Sequence, residues 1–394
     1  VSAFLLNRSS DLRFVNNISY EFEKLHLKHN DDLETKSKEI INSLKQYKQT
    51  GKKLIDYEFF FTETKRDYMI ENIITNVHNK YITGLVELNN DRILTSCRLD
   101  YLMKIFQEDE EGNNYYLKNE KRGKCGCLLY LEKTNRIVSG EGERDISIYE
   151  ETKPNNYEKT QSLSFHDGAV NCLAKLDENQ FISGGADGKI VIWEEQNDQN
   201  KTFIAIDTIR NNTPITALLG CFDSRIAFSC DDKTIFIYKI SEALEKKQQN
   251  IRTYIQDEVL KEQHKGKVVC LCQLKNGYIV SGGSEKIEAD KKIPDHYIVV
   301  WRIENNKYIF SQKLKDHKSS ITSIIQLRDG NFASSSYDRS VKIWRGKEEK
   351  LNENITYQKF ELIYDLKQYD HGIHKLIQLK DDRLCATTSK NQLI

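Results

Sequence analysis

The sequence is poor in several features that mark common classes of protein. Its 394 residues include only three prolines and two methionines, so proline-rich disordered linkers cannot make up much of it. No stretch approaches the roughly 18 consecutive apolar residues of a membrane-spanning helix, and the apolar run at residues 1–6 is too short for a signal peptide. We therefore expect no membrane partner and a cytoplasmic location, with cytoskeletal and nuclear locations left open.

Neither sign of charge is in excess. Lys and Arg total 59, Asp and Glu total 59, and the formal net charge is zero. A chain without net charge has no global field that would draw it to a polyanion. Basic stretches such as residues 118–124 are short and contain acidic residues, which disfavours nucleic acid as a partner.

Common catalytic and metal-binding motifs are also missing. The sequence has no G-x-x-x-x-G-K-[ST], no H-E-x-x-H and no G-x-S-x-G. Among its nine cysteines, Cys125 and Cys127, like Cys270 and Cys272, are separated by one residue, whereas structural zinc favours wider spacing. On a strand such a pair faces one side, where reduced thiols act as small apolar groups. We predict no catalytic residue, no metal site and no cofactor.

What the sequence does contain is an internal repeat with a period of roughly 43 residues. In its clearest copies a histidine precedes a tryptophan by 27 positions, first from His166 to Trp193 and again from His317 to Trp344. A third copy runs from His264 to Trp301, with an insertion at residues 284–294. Weaker copies bring the number to seven units, of which the last is cut short. Each copy has short runs rich in Ile, Val, Phe and Tyr separated by turn residues, which predicts β-strands.

This pattern resembles the WD40-repeat family over about residues 69–394. The resemblance implies an all-β fold, a seven-bladed β-propeller in which each blade is a four-stranded antiparallel sheet. We assign residues 57–394 to the propeller and residues 1–56 to an N-terminal helical arm. A strand at about residues 69–76 is expected to complete the last blade and so close the ring, which removes exposed sheet edges.

In the family a His, a Ser or Thr, an Asp and a Trp form a buried hydrogen-bond chain in each blade. Such a chain is favourable because each of these polar groups is costly to bury unless it is paired. A constellation of Ser, His and Asp that repeats at structural spacing indicates scaffold rather than catalysis. By position, the three sets are His166, Ser183, Asp187 and Trp193; His264, Ser281, Asp295 and Trp301; and His317, Ser334, Asp338 and Trp344.

Three copies depart from the family pattern. Lys121 stands at the His position of the second copy, and the fourth has Asn211 there and Phe228 at the Ser position. The last copy has Ala386 and Lys390 at the Ser and Asp positions. We expect these blades to lack the full chain and to be held mainly by apolar packing.

Residues 18–54 carry apolar side chains at intervals of three and four among many charged residues, which predicts one or two helices. Two interpretations stay open. The arm could form a coiled coil that self-associates or docks a partner, or a helix that packs on the propeller.

We expect a non-enzymatic scaffold that presents protein-binding or peptide-binding faces within a larger complex. Alternatives are the substrate-recognition part of a ubiquitin ligase, the regulatory propeller of a multidomain enzyme with a domain before Val1, and a ciliary or cytoskeletal component. In the family, the loops that precede the first strand and those that join the second and third strands form the commonest binding face. The partner-binding candidates on these loops are Lys80, Arg98, Asp231, Lys318, Tyr337 and Arg339.

Overall fold

A computed structural model describes residues 68–110, 114–197, 199, 201–241, 253–288, 291–350 and 356–394. They belong to one compact unit, Tyr68–Ile394. The predicted arm at residues 1–56 and the boundary at residue 57 lie outside the described residues. Within these ranges the one helical segment is the short 3-10 turn Glu132–Thr134. No helix in the described ranges has the length and apolar character needed to cross a membrane.

The chain folds into consecutive antiparallel hairpins, and each run of four main strands forms one sheet, here called a blade. Blades 1 to 4 take their strands in order, and blade 5 has an extra hairpin between its second and third strands. The strands of blades 1 to 3 are β1 Gly84–Leu88, β2 Arg92–Cys97, β3 Leu102–Glu108 and β4 Tyr115–Arg122; β5 Cys125–Leu131, β6 Arg136–Glu141, β7 Asp145–Lys153 and β8 Asn156–Ser164; and β9 Val170–Lys175, β10 Gln180–Gly185, β11 Lys189–Glu195 and β12 Phe203–Arg210.

The next three blades repeat this arrangement. Strands β19 and β20 pair only with each other and form the extra hairpin. The strands of blades 4 to 6 are β13 Ile215–Gly220, β14 Ile226–Cys230, β15 Ile235–Ile240 and β16 Tyr254–Leu260; β17 Lys267–Gln273, β18 Ile279–Ser284, β19 Lys286–Glu288, β20 Lys291–Ile293, β21 Ile298–Glu304 and β22 Lys307–Leu314; and β23 Ile321–Gln326, β24 Phe332–Ser336, β25 Val341–Lys350 and β26 Thr356–Leu366.

The last sheet, blade 7, draws on both ends of the described chain. Its two strands are β27 Ile373–Gln378 and β28 Leu384–Thr388. Leu393 forms antiparallel bridges with Thr387 and with Ile74. The Ile74 amide donates to the Leu393 carbonyl at 2.8 Å, and the Leu393 amide donates back at 3.0 Å. The segment at residues 69–76 thus contributes one bridged residue and not a continuous strand.

The hydrophobic core lies between the blades and not within them. Among the described residues, seven apolar clusters each join two neighbouring blades, including blades 6 and 7 and blades 7 and 1. In the last of these, Leu379 and Cys385 of blade 7 pack with Ile93 and Phe106 of blade 1. Because every blade buries apolar side chains against both neighbours, the sheets form a closed ring.

Four blades are also joined by an arginine that contacts the next blade. Each arginine stands at or just before the second strand of its blade and lies over an aromatic ring at the start of the outer strand of the following blade. A cation over a ring face adds attraction to the burial of the ring. The pairs, with distances from Cζ to ring centroid, are Arg92 and Tyr157 at 6.0 Å, Arg136 and Phe203 at 5.8 Å, Arg225 and Tyr308 at 4.7 Å, and Arg383 and Tyr115 at 5.8 Å.

One of these junctions predicts a pH dependence of stability. Glu151 accepts hydrogen bonds from Arg92, from Asn135 Nδ2 at 2.9 Å and from the Asn155 amide at 2.8 Å. The bond from Arg92 is the main cause that lowers the Glu151 pKa from 4.5 to about 2. Because the folded pKa is the lower one, the carboxylate stabilises the fold above pH 4.5, and that stabilisation is lost as the pH falls toward 2.

We expect Glu151→Gln to lower the free energy of unfolding by about 1.5–3 kcal/mol at pH 6. The difference from the wild type should shrink as the pH falls from 4.5 toward 2, because the unfolded wild-type carboxylate takes up a proton in this range before the folded one does. Urea unfolding followed by circular dichroism across this pH range measures the difference in the free energy of unfolding. The control is Glu348→Gln, at an exposed glutamate. A Glu151→Gln difference that stays constant with pH would contradict the assignment.

Candidate functional site

Three blades contain the hydrogen-bond chain that the resemblance implies. In blade 3, Trp193 Nε1 donates to Ser183 Oγ at 2.8 Å, and Ser183 Oγ lies 2.8 Å from His166 Nε2. His166 Nδ1 then lies 3.1 Å from the Asp187 carboxylate. Burial lowers the His166 pKa, which keeps the imidazole neutral at pH 7 with its Nδ1 proton directed to Asp187.

Blades 5 and 6 repeat the same chain. Trp301 donates to Ser281 at 2.9 Å, and Ser281 lies 2.8 Å from His264, which lies 3.1 Å from Asp295. The corresponding distances in blade 6, through Trp344, Ser334, His317 and Asp338, are 2.8, 2.8 and 2.9 Å. All three serine hydroxyls are buried and engaged, so they are not available as nucleophiles. These residues build the blade.

The chains also determine the shape of one face of the ring. Each aspartate lies in the loop between the second and third strands, and it accepts the backbone amide that follows the histidine of the loop before the first strand. For Asp187 this donor is Asp167 at 2.8 Å, and for Asp338 it is Lys318 at 2.8 Å. The two kinds of loop are therefore fixed beside each other, and together they form what we call the loop face.

The departing copies are stabilised in other ways. In blade 4, Asn211 donates to Cys230 Sγ at 2.9 Å, and Phe228 stacks on Phe236 with ring centroids 5.2 Å apart. Lys121, on the outer strand of blade 1, has its Nζ 5.7 Å from the centre of the Tyr149 ring of blade 2. Ala386 of blade 7 is buried in the cluster shared with blade 6. Blade 1 keeps a partial chain in which His78 contacts Asp100 at 2.9 Å and Thr95 at 3.0 Å.

The cysteines of the inner strands occupy a slot that needs a small residue. A Cβ added to Gly140, Gly184 or Gly282 would lie 2.5–2.8 Å from the sulfur of the cysteine opposite, so cysteine and glycine fill the space together. Burial raises the pKa of all three thiols, that of Cys127 to about 12, so they remain protonated. The slot holds Gly84, Cys127, Cys172, Ala217, Cys270 and Ser323 in blades 1 to 6, but Lys375 in blade 7.

One cluster in the described ranges has metal-ligating side chains close together. The ligand atoms of His78, Cys97 and Asp100 lie within 4.8 Å of one another. However, both imidazole nitrogens of His78 are occupied, one by Asp100 and one by Thr95. The set is therefore the partial chain of blade 1, and it offers no free imidazole nitrogen to a metal.

Three of the predicted partner-binding residues lie together on blade 6. Tyr337 and Arg339 flank Asp338 in one loop, and the amide of Lys318 donates to that aspartate. Tyr337 is 43% exposed. Arg339 has a φ of 70°, the left-handed conformation that Gly188 has at the same position of blade 3. An arginine in this conformation carries a backbone cost that a glycine would avoid.

A fourth candidate, Lys80, is close to these three through an aromatic contact. Its neighbour Tyr81 stacks on His374 with ring centroids 5.5 Å apart, and His374 meets Tyr337 edge to face at 5.1 Å. Tyr81 and His374 were not among the predicted site residues. The signal that could have identified His374 is the lysine after it, Lys375, which breaks the small-residue slot of the inner strands.

The structure separates the last two candidates from this group. Arg98 donates to the Gly142 carbonyl at 2.6 Å, so it joins the loops of blades 1 and 2. Asp231 forms an ion pair with Lys267 at 2.9 Å, between blades 4 and 5. Both lie on the loop face, but each is already engaged by a neighbouring blade.

The ring of four-stranded antiparallel sheets, with its repeated His, Ser, Asp and Trp chains, defines a β-propeller. A family model described as "WD domain, G-beta repeat" matches residues 157–194 and 309–345. These segments end one residue after the tryptophans of blades 3 and 6. The chain therefore carries WD40 repeats in blades 3 and 6, within a β-propeller fold.

Solved structures show the same fold. The WD40 β-propeller domain of Doa1 matches with a TM-score of 0.61 and 16% identity, over 82% of this chain and 94% of that one. A chain of the mitotic checkpoint complex matches with a TM-score of 0.59 and 15% identity, over 87% of this chain and 98% of that one. Comparison with curated protein sequences finds no match.

Proposed function

We propose that this chain is a non-enzymatic, seven-bladed scaffold that binds protein or peptide partners through its loop face. The observation that carries the proposal is the group formed by Tyr81, Tyr337 and Arg339, in which exposed aromatic rings stand beside an exposed cation. Tyrosine and arginine provide large contact areas and directed donors, and they are enriched at interfaces. The buried chains of blades 3, 5 and 6 hold the surrounding loops in place, which reduces the entropy lost on binding.

The general character of the fold supports this proposal. WD40 propellers share one architecture, and a partner is selected by the loops that it carries. One of the similar solved structures is a chain of the mitotic checkpoint complex. For this chain the proposal is a role within a complex, in the cytoplasm, with the loop face as the contact surface.

We expect the double variant Tyr337→Ala, Arg339→Gly to lose partners from a cell lysate. Glycine suits the left-handed φ of 70° at position 339, so the change removes the side chain without backbone strain. Quantitative proteomics of the captured proteins should show a decrease of about fivefold or more for partners of the loop face.

The control is Phe222→Ala, since Phe222 is 74% exposed but lies in a loop between the first and second strands, on the opposite face. It should leave the captured set unchanged. If Phe222→Ala removes partners and the double variant does not, the binding face has been assigned to the wrong side of the ring.

A further inference from the structure

The channel of the ring contains an unusual charge. Lys375 occupies the inner-strand position that holds Gly, Ala, Ser or Cys in the other six blades, and its side chain is exposed. It lies two residues into β27, so its Cα is about 6–7 Å below the loop face. In the described ranges the Lys375 ammonium group has no hydrogen-bond or ion-pair partner.

Electrostatics place this ammonium group near the axis of the ring. Burial raises the pKa of the thiols of Cys127, Cys172 and Cys270, and in all three the charge of Lys375 opposes the rise. These cysteines belong to blades 2, 3 and 5. A charge on blade 7 that acts on all three must project into the channel that they surround.

The residue before Lys375, His374, joins two aromatic rings of the loop face. Tyr337 Oη lies 2.9 Å from His374 Nε2, and the His374 ring stacks on Tyr81. Burial of the ring is the main cause that lowers the His374 pKa to about 4, and the positive charge of Lys375 is the smaller cause. The imidazole is therefore neutral at pH 7, and its hydrogen bond with the Tyr337 hydroxyl holds the rings in a fixed arrangement.

Two further cations lie at the edge of this aromatic group. A Cβ on Gly372 would lie 2.9 Å from Tyr337 Cδ1, so the Tyr337 loop is packed against the start of β27. The amide of Ser389 donates to the Gly372 carbonyl at 2.8 Å, which places Lys390 on the other side of the same residue. The side chains of Arg339 and Lys390 are exposed and have no polar partner in the described part of the chain.

The acids of this region do not neutralise the cations. Asp338, between Tyr337 and Arg339, is already bound by His317 at 2.9 Å and by the Lys318 amide. Asp370, in the loop before β27, and Asp316, in the loop before blade 6, are exposed, but the exposed cations of this region outnumber them: Lys80, Lys318, Arg339, Lys375 and Lys390. The surface is thus locally positive on a chain whose net charge is zero.

We propose that this surface, the channel patch of Tyr81, Tyr337, Arg339, His374, Lys375 and Lys390, binds an acidic peptide segment. One carboxylate enters the mouth of the channel and binds Lys375, and an apolar or aromatic side chain packs on Tyr81 and Tyr337. Further carboxylates are held by Arg339 and Lys390. The inference rests on the proposed function and names the class of partner that the loop face selects. A charge-assisted hydrogen bond in a recessed site is stronger than one at an open surface, so Lys375 is the main determinant.

The test uses the full 394-residue chain and a fluorescein-labelled 12-residue peptide with glutamates on both sides of one phenylalanine, followed by fluorescence anisotropy. A second peptide has glutamine at every glutamate. We expect the glutamate peptide to bind roughly tenfold or more tightly than the glutamine peptide, and its affinity to fall as salt rises.

Lys375→Met, which keeps the length of the side chain, should weaken binding of the glutamate peptide roughly tenfold. The matched control is Lys133→Met, an exposed lysine on the opposite face, which should leave the affinity unchanged. Tyr337→Phe removes the hydrogen bond to His374 but keeps the ring, and it should weaken binding less than Tyr337→Ala.

The proposal fails if both peptides bind alike, or if Lys375→Met has no effect. It also fails if a 12-nucleotide oligothymidylate binds more tightly than the glutamate peptide, since the patch would then select phosphates. These outcomes concern the class of partner and not the choice of the loop face as the binding face. If the double variant Tyr337→Ala, Arg339→Gly still loses its lysate partners, the loop face is the binding face and only the acidic class is wrong.

Discussion

Replacement of Trp344 by alanine is expected to lower the free energy of unfolding by about 3–5 kcal/mol. The side chain is 1% exposed and belongs to the cluster that joins blades 5 and 6. It stacks on Phe332 with ring centroids 5.9 Å apart and donates its indole proton to Ser334. Truncation therefore creates a cavity between two blades and leaves a buried hydroxyl without its donor.

Trp344→Phe separates these two contributions. It keeps most of the ring and removes the indole proton, so we expect a loss of about 1–3 kcal/mol. The equivalent change in blade 3, Trp193→Phe, should have a similar effect because its hydrogen-bond chain has the same distances within 0.2 Å. Urea unfolding followed by far-ultraviolet circular dichroism measures all three variants.

If Trp344→Phe costs as much as Trp344→Ala, packing between the blades contributes less than we conclude. If Trp344→Phe and Trp193→Phe leave stability unchanged, the hydrogen-bond chains do not contribute. Phe310→Ala is a control, since Phe310 is 43% exposed on an outer strand.

The repeated part of the fold could be predicted because each blade packs the same kinds of side chain at the same positions of its strands. The spacing from His166 to Trp193 returns from His317 to Trp344, and in both blades it produces the same bonds. The small-residue slot of the inner strands follows from the same alignment of repeats, since Cys127, Cys172 and Cys270 align with Gly84, Ala217 and Ser323. In a repeat, the residues that several copies have at one position can be compared, and this comparison indicates the role of that position.

Features that occur once could not be predicted in this way. Lys375 has no counterpart in the other blades, and its role depends on a channel that exists only once the ring is closed. The contact from Tyr81 through His374 to Tyr337 joins residues that are far apart in the chain, on blades 1, 7 and 6. The arginine and aromatic pairs between blades were missed for the same reason, because each partner belongs to a different copy.

The predicted partner-binding residues show the same limit. Their loops could be assigned to one face, but their pairing could not. Arg98 and Asp231 are engaged by Gly142 and Lys267 of the neighbouring blades. The packing of blade on blade distinguishes a cation that joins two loops from one, such as Arg339, that has no polar partner among the described residues.

Asp295→Ala is expected to lower the free energy of unfolding by about 3–5 kcal/mol, the second large effect. The carboxylate is fully buried at 0% exposure. It accepts from His264 at 3.1 Å and from the amides of Lys265 and Gly266 at 2.7 and 2.8 Å. Alanine would leave three donors without a partner, and two of them, on His264 and Gly266, are buried, where an unpaired donor is costly.

The position of Asp295 in the chain makes this prediction informative. It follows His264 by 31 residues, whereas Asp187 follows His166 by 21. Both carboxylates nevertheless form the same hydrogen bond with Nδ1 of their histidine. The added residues form the β19 and β20 hairpin, which pairs only with itself. Asp295 therefore marks the point at which the inserted chain rejoins the blade, and its burial does not depend on the length of the insertion.

The control is Asp316→Ala, because Asp316 is exposed in the loop before blade 6 and should change stability by less than about 0.5 kcal/mol. Asp295→Asn should lose less than Asp295→Ala, since the amide oxygen still accepts one of the donors. Urea unfolding ranks the three variants, and amide hydrogen exchange at Lys265 and Gly266 reports the local loss. If Asp295→Ala costs no more than Asp316→Ala, the buried carboxylate is not the anchor of this loop. If the predicted order is found, the hairpin can be altered to change what the loop face binds while the blade beneath it stays intact.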